Sequence, residues 1–154
     1  MTTTQTITRR ARAPQPLLRR YRPELQQLVA TAVVLGMASP LWAGPSEFKI
    51  RRDKRAGAGG KAHVWGIYLT VGRATEGKIL SVIAHELAHL LPWNHVDQHG
   101  IVFRQTLRAL VKVNWPGIAP WAEGDRYDDE ADCYAEDGRI AAAIDGWLAD
   151  RGRP

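Results

Sequence analysis

The segment His85-Glu86-Leu87-Ala88-His89 constrains this chain more than any other. Residues four apart share a face only in a helix, so the spacing lets both imidazoles reach one ion if the segment is helical. The neighbours agree with that condition. Ile79, Val82, Ile83, Leu87 and Leu90 recur at helical spacing and predict an amphipathic helix over 75–91, which Pro92 stops. His-Glu-x-x-His on such a helix is a zinc pattern in which the histidines hold the ion and Glu86 serves as general base. Neutral imidazole suits Zn²⁺, and an open fourth position lets the ion bring the pKa of its water to about 7. Cys133 is the single cysteine, which excludes an intramolecular disulfide and any multi-cysteine zinc ribbon. The metal must then be held by His, Asp or Glu.

The third ligand is open between several residues. His95 follows His89 at the metzincin histidine spacing, but Pro92 stands where those enzymes have glycine, and neither Met1 nor Met37 lies downstream to form their Met-turn. His99 precedes Gly100 and a second predicted amphipathic helix, 101–113, which would present it rigidly. Asp128 and Glu130 belong to a last predicted helix, 128–148, from which a carboxylate would complete a His₂-carboxylate site.

The string His85-Glu-Leu-Ala-His89-Leu-Leu, with Trp93 and His95 after it and His99-Gly100-x-x-Phe103 beyond, resembles the SprT-like zincin metalloproteases, the group that includes Spartan. The resemblance spans roughly residues 46–113. It implies His85, His89 and His99 as zinc ligands, Glu86 as base, and a strand ahead of the active-site helix that aligns an extended protein or peptide substrate. It further implies substrates that are proteins on DNA. The cysteines of that family's C-terminal zinc ribbon are missing. A second likeness joins Asp128-Asp-Glu-Ala-Asp132 to the Glu-x-x-Ala-Asp helix of some gluzincins, with Asp128 at the position of the glutamate ligand. Asp128 and Asp132 share a helical face and could instead hydrogen-bond a ligand imidazole.

Around this centre the pattern predicts one α+β domain over 23–154 with a small antiparallel or mixed sheet packed on the active-site helix, and the resemblance implies that this is a zincin-like minimal metalloprotease fold. Phe48–Arg52 and the β-branched, aromatic run His63–Val71 read as an antiparallel strand pair, with the glycine-rich 53–62 as the loop or hairpin turn between them. A helix over 23–38 begins after Pro23 and turns Leu25, Leu28, Val29, Ala32 and Val33 to the core. In helix 101–113 the inward residues are Ile101, Phe103, Leu107, Leu110 and Val111. Glycines divide the last helix into two parts.

The net charge of +5 is unevenly distributed. Residues 1–22 carry six arginines and no acid, whereas 123–150 hold ten of the sixteen acidic residues. The front reads as a flexible arm able to touch DNA nonspecifically through counterion release. The apolar stretch 28–44 is interrupted by Thr31, Gly36, Ser39 and Pro40 and falls short of a membrane span, so a cytoplasmic location is expected, with secretion after N-terminal processing as the alternative. His63 reads as a surface histidine, Trp93, Trp115 and Trp121 as local core, and Cys133 as a buried small hydrophobe. His95, Tyr127 and Tyr134 are candidates to stabilise an oxyanion. The alternative to an enzyme is a nucleic-acid- or protein-binding module whose zinc is structural and closed by a fourth ligand such as Asp128.

Overall fold

A computed structural model of the chain describes residues 16–63, 66–91, 99–121 and 130–151. In chain order the elements are α1 (Pro16–Val34), β1 (Glu47–Ala56), β2 (Ala58–His63), β3 (Gly66–Arg73), α2 (Glu76–Leu90), α3 (Ile101–Asn114) and α4 (Glu130–Arg151). Together they make a small α+β domain with a mixed three-stranded sheet.

The strand order is β1-β3-β2, so β3 is central, parallel to β1 and antiparallel to β2. Phe48 stands opposite Ile67 and Ile50 opposite Leu69, which gives one continuous apolar face. The expected antiparallel pairing of 48–52 with 63–71 is therefore corrected. The glycine-rich segment is not a loop: β1 runs on to Ala56, the chain turns at Gly57, and Ala58–His63 is a strand whose last residue is His63. Glycine and alanine are poor strand formers alone, but here the backbone ladder with β3 decides.

Helix α2 lies at the centre of the molecule and packs on β2, β3 and each of the other three described helices. Its Ile79, Leu80, Ile83 and Leu87 are buried with Leu25, Leu28 and Ala32 of α1, Phe103, Leu107 and Leu110 of α3, and Ile140 and Ile144 of α4. Thr75 caps its first turn by accepting from the Lys78 backbone N–H at 3.2 Å. The Gly77 N–H donates to Asp145 Oδ1 of α4 at 2.7 Å. A Cβ at Gly77 would stand 2.2 Å from the Ala141 carbonyl oxygen, so glycine is what allows α4 to lie this close.

Helix α1 starts at Pro16, ahead of the expected start after Pro23, and Pro23 sits inside it. Part of the arginine-rich arm is thus built into the domain. Tyr21, 2% exposed, donates to Glu76 Oε2 at 2.7 Å, and Arg20 Nη2 pairs with the same oxygen at 2.8 Å. These contacts secure the turn that precedes Pro23 despite the backbone N–H that proline lacks. Ile101 is exposed, not core: it opens α3 before the buried stripe of Phe103, Leu107 and Leu110 begins. Helix α4 is one unbroken helix through Gly138 and Gly146. Arg108 holds α4 to α3, its Nε and Nη2 each 2.7 Å from Oε1 of the buried Glu136. Among the described residues no helix is long and apolar enough to cross a membrane.

Candidate metal centre

Three imidazoles converge at the C-terminal half of α2. His85 and His89 project from one helical face, and His99 enters from the residue just before Gly100, the N-cap of α3. The Nε2 atoms are 3.2 Å apart for His85 and His99, 3.2 Å for His85 and His89, and 3.1 Å for His89 and His99. Phe103, one turn into α3, lies against all three rings, with centroid separations of 4.8, 4.4 and 5.1 Å to His85, His89 and His99. The buried phenyl ring limits how far each imidazole can turn.

Hydrogen bonding cannot account for this triangle. A neutral imidazole nitrogen either donates or accepts, so among three such atoms at least one pair is alike and repels. A cation between them removes the conflict. Zinc-to-nitrogen distances of about 2.0–2.1 Å around a tetrahedral ion place neighbouring nitrogens about 3.3 Å apart, close to the observed spacing. Burial first, then the neighbouring His85 and His99, push His89 down to about 3, so its imidazole is neutral at physiological pH, the form that can ligate a metal. His85, His89 and His99 therefore form a cluster that could hold a metal ion.

The back of His85 faces a carboxylate. Its Nδ1 lies 3.0 Å from Asp137 Oδ2, and both side chains are nearly enclosed. The oxygen is off the line of the N–H, so Asp137 acts as a charge beside the ring more than as an aligned hydrogen-bond acceptor. It favours the proton on Nδ1 and so leaves the Nε2 lone pair for the ion. Carboxylate support from the last helix was expected of Asp128 or Asp132. Asp128 lies outside the described residues, Asp132 is exposed, and Asp137 has the position. The signal for it was present in the stripe Cys133, Glu136, Asp137, Ile140 and Ile144, where two acids interrupt the buried face of α4.

Glu86 is 7% exposed and lies under the backbone of β2. Burial raises its carboxyl above the ordinary glutamate range; His85 opposes this, Asp137 adds to it, and a hydrogen bond from the Ala62 backbone N–H opposes it. Gly60 makes the close packing possible, because a Cβ there would stand 2.6 Å from Glu86 Cγ and 2.9 Å from Oε1.

A cleft of about 660 Å³ opens on this group, walled by β2 on one side and by Tyr134 and Asp137 of α4 on another. Its strand wall is β2, not the His63–Val71 run expected for the rim, because β3 has neighbours on both edges and β2, among the described residues, has one edge unpaired. Tyr134 lines the cleft with its ring edge-on to His99, centroids 6.0 Å apart. His63 is exposed at the cleft mouth, its ring 5.4 Å from that of Tyr68. Cys133 and Trp115 are buried as expected, while Trp121 is half-buried beneath Arg108. His95, Tyr127, Trp93 and the side chain of Glu130 lie outside the described residues. Comparison with protein-family models, curated proteins and solved structures found no match.

Proposed function

We propose that this chain is a zinc-dependent peptidase of the SprT-like zincin type. The observation that carries the reading is the convergence of His85, His89 and His99 beside a buried Glu86 at the wall of an open cleft. Among the described residues no fourth His, Cys or carboxylate joins the three nitrogens, a donor set that favours an enzyme over a closed structural site. A Zn²⁺ held by these histidines would supply a Lewis acid for a peptide carbonyl and make water more acidic.

The chain's own groups then divide the work. Glu86 takes the proton of the attacking water as the new C–O bond forms, and returns it to the nitrogen of the leaving amine as the C–N bond breaks. Its desolvated carboxyl is a stronger base than an exposed glutamate, which suits both transfers. The Ala62 N–H steadies that carboxylate, and Asp137 keeps the His85 lone pair turned to the centre. Tyr134, on the facing wall, offers a phenol O–H to the oxyanion. The free edge of β2 can take an extended peptide as an added strand beside Glu86.

Metal analysis of the purified protein should find one zinc per chain. Glu86→Gln should keep that zinc and lose hydrolysis of a denatured protein substrate; retained hydrolysis would overturn the assignment of the base. His99→Ala should lose the metal and His95→Ala should keep it.

A further inference from the structure

We propose that the cleft selects peptides bearing acidic side chains, an inference that rests on the peptidase reading above. Among the described residues, the carboxylates that line the cleft are Glu86 and Asp137, and both are engaged at the histidine cluster. Lys61 and Lys78 line the same cleft and are not part of that cluster. Among the described residues neither forms an ion pair, unlike Arg20 and Lys49.

The lysines border the same strand edge from its two faces. Lys61 is exposed on the outer face of β2 and lies level with Tyr68 and, one strand further, Lys49. Arg51 is the next outward residue of β1, and Glu47, which shares this face, is held by Tyr68 and Lys49. Lys78 projects from the first turns of α2, seven residues and about 10 Å along the helix before His85. An extended chain lying on the free edge of β2 sends successive side chains to opposite faces. Those on the outer face meet Lys61 with Lys49 and Arg51 behind it, and those on the inner face meet Lys78. Asp or Glu at these places finds an opposite charge across the strand, whereas Lys or Arg finds a like one.

The probes are three fluorescent peptides identical except at two adjacent positions, which are both Asp, both Asn or both Lys. Binding is read by anisotropy on zinc-loaded Glu86→Gln protein, and cleavage by kcat/KM on the wild-type chain. The Asp peptide should bind about tenfold more tightly than the Asn peptide and the Lys peptide least, with the gap shrinking as salt rises. The double variant Lys61→Glu/Lys78→Glu should reverse the order. Equal binding of the three peptides, or an order untouched by the double variant, overturns the inference even if all three are cleaved. Charge-ordered binding that reverses in the double variant, without cleavage by the wild type, upholds the charge preference and removes the peptidase reading. Neither binding nor cleavage of any peptide overturns both.

Discussion

Oδ2 of Asp137 stands 3.0 Å from Nδ1 of His85, on the side of the ring away from the other two histidines. Asp137→Asn keeps the volume and removes the charge that biases the imidazole tautomer. Zinc affinity, measured by competition with a chelator, should fall by about 10- to 100-fold. The metal-free variant should unfold near the midpoint of the metal-free wild type, because the carboxylate supports the site more than the core. Unchanged zinc affinity would show that Asp137 does not tune His85.

Gly60 and Glu86 form a steric pair across β2 and α2. Gly60→Ala places a methyl group 2.6 Å from Glu86 Cγ and must displace the carboxylate or the strand. Misplacing a catalytic group by an ångström can reduce the rate by about a hundredfold, so kcat should fall on that order while zinc content stays at the wild-type level. Gly59→Ala is the control: a Cβ there meets nothing within 4 Å, and activity should be preserved.

Tyr134→Phe removes one hydroxyl and keeps the ring that faces His99. If the phenol stabilises the oxyanion, kcat should drop by about 10²- to 10³-fold with KM and zinc content little changed. A rise in KM at constant kcat would instead assign Tyr134 to substrate binding.

Tyr21 supplies a pH signature remote from the site. Burial, and then the hydrogen bond to Glu76, push its phenol up to about 12. A phenol whose folded pKa lies above its unfolded value of about 10 binds its proton more tightly in the native state. Its contribution to stability is complete below about pH 10 and is lost as pH rises through about 12. Tyr21→Phe should cost about 1 kcal/mol at neutral pH, and the difference from wild type, followed by urea unfolding, should close over that window. A constant difference from pH 8 to 12 would contradict the linkage.

Much of the centre was legible because helical geometry is local. The spacing of His85 and His89, and the apolar stripe of Ile79, Ile83 and Leu87, determine which face of α2 turns inward whatever the rest of the chain does. The sheet was harder to read. Ala58–His63 resembles a loop by composition, since pairing with β3 and packing on Glu86 are long-range effects absent from a window of six residues. Ile101 shares the helical period of α3 and still faces solvent, because periodicity does not mark where a neighbouring surface ends.

The chain by itself determined that two imidazoles and a carboxylate would share one helix, and that no cysteine pair would assist them. Tertiary structure decided what joined them. His99 comes from the residue before the α3 N-cap, Asp137 from α4 and Gly60 from an edge strand, and only packing brings these distant segments together. The physical reason is the range of the forces: helix periodicity acts over one turn, whereas Phe103 behind the imidazoles, Glu136 on Arg108 and Asp145 on the α2 N-terminus act only after the chain has folded back on itself.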